Sequence, residues 1–80
     1  MKIQILGTGC PKCIKLEENT KKAVEELDIH CEIEKVTDIN KIMEFEIMLT
    51  PGLAIDKKVV SVGKVLNVEQ IKDLIKKEGN

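Results

Sequence analysis

Two cysteines, Cys10 and Cys13, stand where an apolar strand pattern changes into a helical pattern, and this feature constrains the fold most. Residues 2–6 read Lys-Ile-Gln-Ile-Leu, a short β pattern that stops at two nearby glycines, since glycine readily adopts a positive φ. Pro11 suits the first position of a helix, where a missing N–H has no cost. The sequence therefore predicts a strand, a tight turn and a helix whose first turn carries both thiols.

The spacing of the two cysteines suits a reversible bond between them. In a helix, Cα atoms three residues apart are separated by about 5 Å, inside the window of about 4.4–6.8 Å that a disulfide accepts. The bond can therefore form and break with little backbone movement. A redox-active disulfide is the first hypothesis for Cys10 and Cys13, and a metal clamp is its rival.

Length and charge limit the partners of the chain. Eighty residues predict one domain, residues 1–80, with a small core that buries about 60% of the surface of the unfolded chain. Thirteen basic and fourteen acidic side chains leave a net charge of -1, so neither nucleic acid nor an anionic membrane is expected as a partner.

Cysteine usage and the N-terminus predict a cytoplasmic location. The chain has three cysteines, an odd number, which argues against a secreted disulfide scaffold. The sequence enters its first strand without the basic and apolar segments of a signal peptide, and its apolar runs are too short to span a membrane.

Periodicity predicts three helices and four strands. The first helix should bury a stripe at three- and four-residue steps: Cys13, Leu16, Thr20, Ala23, Val24 and Leu27. Residues 29–36 alternate as an edge strand would, with Cys31 on the same parity as Ile33 and therefore a small buried hydrophobe. Thr37 or Asp38 can cap a second helix of about two turns, from Ile39 through Met43 and extending into residues 45–47.

The last part of the chain predicts a hairpin and a closing helix. Strands at residues 52–55 and 58–62 flank Asp56-Lys57, which lacks the Asn-Gly or Asp-Gly typical of a two-residue turn. Asn67 and Gln70 form a capping-box pattern for the final helix. The predicted order is β-α-β-α-β-β-α, an α/β fold in which the first two strands are parallel and the last two antiparallel.

Two motifs together resemble the thioredoxin superfamily: Cys-Pro-Lys-Cys after the first strand, and Leu-Thr-Pro-Gly-Leu at residues 49–53 before a later strand. The chain is most similar to the small redox-active disulfide proteins of that superfamily. The resemblance spans nearly the whole chain and implies a minimal thioredoxin fold, a four-stranded mixed sheet flanked by three helices.

The position of the two thiols predicts different roles for them in thiol-disulfide exchange. Cys10 at the helix start faces unpaired N–H groups and the positive end of the helix dipole, and Lys12 adds a cation, so its pKa should be low. Because the thiolate is the attacking species, Cys10 is the predicted nucleophile. Cys13, one turn inward, is the predicted resolving thiol.

The resemblance also implies a substrate site and partners. In the superfamily the proline that corresponds to Pro51 is cis and packs beside the CxxC, which leaves the backbone of Thr50 free to bind an extended substrate. Pro11 and Lys12, between the cysteines, are expected to contact the same substrate. The implied partners are protein disulfides and a thioredoxin-reductase-like electron donor, and the implied cofactor is none beyond the Cys10–Cys13 disulfide itself.

Other functions remain as alternatives. The thiol pair could carry Cu(I), which prefers soft ligands, although copper carriers of this size end in a strand rather than a helix. A zinc site of Cys10, Cys13, His30 and Cys31 is disfavoured, because residues 30 and 31 should lie about 15 Å away at the far end of a parallel strand. A noncatalytic adaptor is a third possibility. A glutathione site is not expected, since residues 62–65 lack the Gly-Gly-Asp run of glutaredoxins.

Overall fold

The computed structural model describes residues 1–79 and has the predicted order of elements. The elements are β1 (Lys2–Leu6), α1 (Pro11–Leu27), β2 (Glu32–Val36), α2 (Ile39–Glu44), β3 (Gly52–Ile55), β4 (Lys58–Val62) and α3 (Val68–Glu78). The predicted domain ends at Asn80, which lies outside the described residues.

The four strands form one mixed sheet in the order β2-β1-β3-β4. The β1–β2 pair is parallel, as the length of the α1 connection predicted, and begins with Lys2 opposite Glu32. The β1–β3 and β3–β4 pairs are antiparallel. The predicted minimal thioredoxin fold is therefore confirmed, and β2 is an edge strand as predicted.

The core is divided into two clusters. The larger cluster joins β1 and β3 to α1 and α3, and its buried members are Ile3, Ile5, Leu16, Ala23, Leu53, Ile55, Leu66, Ile71 and Ile75. The smaller cluster joins β1 and β2 to α2 through Leu6, Val36 and Ile42. The α1 members of the larger cluster, Leu16 and Ala23, belong to the stripe predicted for that helix. The two clusters fix β1 in the sheet and place its carboxyl end beside the start of α1.

Two predicted boundaries were wrong. β2 begins at Glu32 rather than at residue 29, because its partner β1 begins only at Lys2, which pairs with Glu32. The second helix ends at Glu44, and Glu46 adopts a left-handed φ of 60° that a helix cannot continue through. Phe45 and Ile47 therefore leave the helix and pack against the smaller cluster instead.

The hairpin turn forms without glycine. Asp56 and Lys57 have φ values of 50° and 71°, the left-handed conformation that two-residue turns require. Three hydrogen bonds to β1 stabilise it: the Lys57 N–H donates to Gln4 Oε1 at 2.9 Å, the Asp56 N–H donates to the Lys2 carbonyl at 2.7 Å, and the Asp56 carboxylate accepts from the Lys2 N–H at 2.8 Å. Tertiary contacts with β1 thus replace the local turn signal.

The predicted helix caps are present. The Asp38 carboxylate accepts a hydrogen bond from the Asn40 N–H at 2.8 Å, so Asp38 rather than Thr37 caps α2. Asn67 and Gln70 form both hydrogen bonds of a capping box at the start of α3. These caps satisfy N–H groups that a helix leaves without an internal partner.

Candidate redox site

The two thiols lie where β1 leads into α1. Cys10 is the N-cap residue of α1, with φ -68° and ψ 165°, and Pro11 occupies the first helical position as predicted. The Gly7 N–H donates to the Val36 carbonyl at 3.0 Å, which extends the β1–β2 pairing up to the loop. The site is therefore held by the sheet on one side and by the first turn of α1 on the other.

The sulfurs of Cys10 and Cys13 are 2.7 Å apart, and both residues are free thiols. The two side chains differ in exposure. Cys10 is partly exposed, whereas Cys13 is buried, with 5% of its surface accessible. An incoming disulfide can therefore reach the Cys10 sulfur, while the Cys13 sulfur lies within bonding reach behind it.

The pKa values of the two thiols move in opposite directions. The pKa of Cys10 is lowered, chiefly by the hydrogen bond from the Cys13 thiol and then by the backbone N–H of Cys13. The pKa of Cys13 is raised, first by burial and then by its hydrogen bond to Cys10. Lys12 also lowers the pKa of Cys10, but through its backbone N–H rather than through the ammonium group that the sequence suggested. The preferred thiolate at this site is Cys10.

Gly7 has a packing role that sequence reasoning did not assign. A Cβ atom at Gly7 would collide with the Cys13 sulfur and would lie 3.9 Å from the Pro51 Cα. Gly7 therefore lets three chain segments meet: the end of β1, the first turn of α1 and the start of β3. The left-handed conformation expected of the loop glycines occurs at Gly9, with φ 95°. The requirement at Gly7 depends on two distant segments, so no local signal could reveal it.

Thr50 and Pro51 lie on the same side as the thiols, because Gly7 is close both to the Cys13 sulfur and to the Pro51 Cα. The Thr50–Pro51 peptide bond is cis, and the buried Pro51 accepts a hydrogen bond at its carbonyl from the Gly63 N–H at 2.8 Å. Thr50 is exposed, and its backbone groups have no backbone partner within residues 1–79. Pro11 and Lys12 are exposed on the first turn of α1. Of the four predicted substrate residues, Pro11, Lys12 and Thr50 are therefore exposed and Pro51 is buried.

His30 and Cys31, the other two residues of the possible zinc site, lie at the opposite end of the sheet from Cys10 and Cys13. His30 and Cys31 precede β2, whereas Cys10 follows β1, and the two strands are parallel. The described part of the chain contains no group of three or more His, Cys, Asp or Glu side chains that could hold a metal ion. Cys31 is half-buried against the larger core cluster, and burial raises the pKa of its thiol.

None of the helices within residues 1–79 could cross a membrane.

Comparison with known proteins decides the family. The family model described as a thioredoxin domain matches residues 1–76. The chain belongs to the thioredoxin family. It is 55% identical to a thioredoxin of Methanocaldococcus jannaschii over 74 residues, which covers 92% of this chain and 85% of that protein. It is 44% identical to a thioredoxin of Methanothermobacter thermautotrophicus over 75 residues, which covers 94% and 97%.

The family assignment confirms the resemblance that the two motifs indicated. As a member of the thioredoxin family, the chain is a thiol-disulfide oxidoreductase in general terms. Thioredoxins act through their own dithiol and need no separate cofactor. The roles of individual residues then depend on the geometry of this site.

Proposed function

We propose that this protein exchanges disulfides with protein substrates through Cys10 as nucleophile and Cys13 as resolving thiol. One observation carries the proposal: a partly exposed thiol with a lowered pKa lies 2.7 Å from a buried thiol with a raised pKa. This asymmetry divides the two steps of the exchange between the two sulfurs.

The exchange starts when the Cys10 thiolate attacks one sulfur of the substrate disulfide. A mixed disulfide forms, and the other substrate sulfur leaves as a thiolate that takes up a proton. Cys13 then loses its proton and attacks the Cys10 sulfur. The second substrate sulfur leaves and is protonated, and the Cys10–Cys13 disulfide remains. The substrate gains two electrons from the two cysteines and two protons, one released by Cys13 and one taken from the solvent, to which Cys10 gave its proton on ionising.

The free backbone of Thr50 supports a binding mode for the substrate chain. An extended segment can form main-chain hydrogen bonds with Thr50, in the manner of strand addition, beside the buried Pro51. Pro11 and Lys12, exposed between the cysteines, would contact the same segment. Backbone recognition tolerates different sequences, so several protein disulfides can serve as substrates.

The oxidised form must be reduced before the next turnover. We propose a thioredoxin-reductase-like enzyme as the electron donor, an assignment supported by the family membership alone. The cytoplasmic location stays a prediction from the sequence.

Trapping of the mixed disulfide tests the two roles. Cys10→Ser and Cys13→Ser are each made in a Cys31→Ser background, so that a third thiol cannot be captured, and are incubated with an oxidised protein such as insulin. We expect Cys13→Ser to accumulate a covalent adduct through Cys10, since the resolving attack is missing. Cys10→Ser should accumulate none, because its remaining thiol is buried and has a raised pKa. Mass spectrometry identifies the linked residue.

Equal trapping by both variants, or by neither, would contradict the assigned roles. The background variant Cys31→Ser alone should turn over insulin like the native protein. A protein that binds Cu(I) at Cys10 and Cys13 but reduces no disulfide would be a copper carrier. Retention of biological function in both single variants would favour the noncatalytic adaptor.

A further inference from the structure

A cavity of about 210 Å³ reaches the buried thiol of the candidate redox site, and we name it the Cys13 cavity. Of the two thiols of the site, only Cys13 belongs to its lining. Gly7 lines the same cavity, and a Cβ atom at Gly7 would collide with the Cys13 sulfur. Because Gly7 has no side chain, one side of the Cys13 sulfur faces the cavity rather than packed atoms.

The volume of the Cys13 cavity limits its occupant to a small molecule. Since one water takes about 30 Å³ of the liquid, the space suits a molecule of roughly six to eight heavy atoms. A protein disulfide is too large for this space and meets the partly exposed Cys10 instead. The two sulfurs are thus reached by separate routes, Cys10 from the protein surface and Cys13 from the cavity.

The charged side chains of the Cys13 cavity favour an anion. Glu17 and Lys35 belong to its lining, and the Lys35 ammonium is 3.6 Å from one Glu17 carboxylate oxygen. The other oxygen is only 3.0 Å from the Lys21 ammonium, which lies outside the lining and is the largest cause of the lowered pKa of Glu17. Lys21 therefore neutralises most of the charge of Glu17, and the positive charge of Lys35 is left for a ligand.

Exchange at the Cys13 sulfur has a favourable leaving group in the oxidised protein. An attacking thiolate approaches a disulfide in line with the bond that breaks, on the side opposite the leaving sulfur. A thiolate in the cavity meets Cys13 away from Cys10, because Cys10 is outside the lining. The Cys10 sulfur then leaves, and its lowered pKa makes it a better leaving group than Cys13, whose pKa is raised.

We propose that the Cys13 cavity binds a small anionic thiol, one that carries a carboxylate or a sulfonate, and that this thiol reduces the Cys10–Cys13 disulfide. The Lys35 ammonium binds the anionic group while the thiolate meets the Cys13 sulfur. The inference rests on the proposed function, since the thiol supplies electrons to the same dithiol. It gives the oxidised protein a source of electrons besides a reductase.

The reduction consumes two molecules of the small thiol. The first thiolate attacks the Cys13 sulfur, the Cys10–Cys13 bond breaks, and Cys10 leaves as a thiolate. The second thiolate attacks the ligand sulfur of the mixed disulfide and releases the Cys13 thiolate. The small thiols lose two electrons and become one symmetrical disulfide, and the protein gains these electrons. They also give two protons to the solvent on ionising; Cys13 takes one up, and Cys10 takes the other to the extent that its lowered pKa allows.

Three thiols that differ in charge test the site: 3-mercaptopropionate is anionic, 2-mercaptoethanol neutral and cysteamine cationic. They reduce the oxidised protein in a Cys31→Ser background, in which Cys10 and Cys13 are the only cysteines. Each rate is divided by the rate of the same thiol with hydroxyethyl disulfide, which corrects for intrinsic reactivity. We expect the anionic thiol to be favoured over the neutral one by about threefold to fivefold, the range for one partly exposed ion pair, and cysteamine to be disfavoured.

Two lysine variants locate the source of this preference. Lys35→Gln removes the positive charge from the cavity and should reduce the preference to less than about 1.5-fold. Lys15→Gln is the matched control and makes the same change of charge. Lys15 is exposed on α1, two positions after Cys13, but is not part of the lining, so the preference should persist.

Tandem mass spectrometry identifies the sulfur that is attacked. Reduction by 3-mercaptopropionate is stopped with N-ethylmaleimide, which caps the Cys10 thiolate before it can form the disulfide again. We expect the mercaptopropionate adduct on Cys13 and the maleimide on Cys10. The reverse arrangement would show that the thiol attacks from the protein surface, and it would overturn the site.

The outcomes separate this site from the proposed function. Reaction of the reduced protein with hydroxyethyl disulfide at Cys10, together with equal normalised rates for the three thiols, would overturn the site and leave the proposed function intact. Failure of Cys10 to react with hydroxyethyl disulfide would overturn the proposed function. A preference that is lost in Lys15→Gln, or kept in Lys35→Gln, would overturn the assignment of the anion to the Cys13 cavity.

Discussion

The thiol at the start of helix α1 has a lowered pKa, whereas the thiol beyond its end has a raised pKa. At its start, backbone N–H groups and the Cys13 thiol lower the pKa of Cys10. Beyond its end, Cys31 is half-buried, its thiol donates to the Glu32 carbonyl at 3.8 Å, and burial raises its pKa. The same functional group is activated at one end of the helix and deactivated at the other.

This difference shows what makes a thiol reactive in the fold. Cys13 and Cys31 both have a raised pKa with burial as the largest cause, yet only Cys13 has a sulfur partner within bonding reach. Burial alone favours the neutral thiol. Reactivity requires hydrogen-bond donors that stabilise the thiolate, and turnover requires a second thiol behind it.

The sharpest test of the comparison is removal of one thiol at each end of α1. Cys10→Ser should lower the rate of insulin reduction by about three orders of magnitude or more, because the attacking sulfur is lost. Cys31→Ser should change the rate by less than about twofold. A turbidity assay with dithiothreitol as electron donor measures both rates, and comparable losses in the two variants would refute the functional difference between the ends.

The next largest loss of activity is expected from Gly7→Ala, which changes the packing only at the start of α1. The new Cβ collides with the Cys13 sulfur, so this thiol must move away from Cys10 or β1 must shift. Insulin reduction should fall about tenfold or more, and the free energy of unfolding should fall by about 1–3 kcal/mol, as for other overpacked cores.

Gly9→Ala is the comparison variant for Gly7→Ala. Nothing lies within 4 Å of a Cβ at Gly9, but its φ of 95° is unfavourable for alanine. Gly9→Ala should therefore destabilise by about 1–2 kcal/mol without blocking the approach of the two sulfurs. If Gly7→Ala kept native activity while Gly9→Ala lost it, close packing at Gly7 would not be the requirement.

A moderate effect is expected on the pH dependence of Cys10 alkylation. Because its pKa is lowered, the rate of reaction with iodoacetamide should rise with pH and level off below the pH at which an ordinary thiol does so. Cys13→Ala removes the largest cause, the hydrogen bond from the Cys13 thiol, and should shift the curve to higher pH. Cys13→Ser retains a donor and should shift it less. Superimposable curves for the three proteins would show that Cys13 does not tune Cys10.

The smallest effect concerns the other end of α1. Asp28 has a left-handed φ of 52° and carries a negative charge at the negative end of the helix dipole. Asp28→Gly removes both the unfavourable φ and the unfavourable charge, although glycine also increases the entropy of the unfolded chain. The net result should be a rise of about 0.5 kcal/mol in the free energy of unfolding. Asp28→Asn removes only the charge and should give about 0.3 kcal/mol.

Urea unfolding measures both Asp28 variants, and insulin reduction should not change in either. Loss of stability in Asp28→Gly would mean that the Asp28 side chain supports the helix end. Loss of activity would mean that the two ends of α1 are coupled.

The sequence allowed most of the fold to be predicted because its local signals agree. The β pattern of residues 2–6, the stripe of α1 and the Asn67–Gln70 capping box each depend on residues a few positions apart, and the structure has all three elements. The errors fall where a distant segment decides. β2 starts at Glu32 because β1 offers no earlier partner, and α2 ends at Glu44 while Phe45 and Ile47 pack against the smaller cluster.

In the candidate site, too, some features follow from local sequence and others only from tertiary contacts. By itself, the sequence determined that Cys10 begins a helix and that Cys13 follows one turn later, since proline, glycine and apolar spacing act over a few residues. Only the tertiary structure decided that Gly7 must lack a side chain and that Pro51 lies close to it. Gly7 and Pro51 are 44 positions apart in the chain, and chain spacing carries no information about which surfaces meet when the sheet forms.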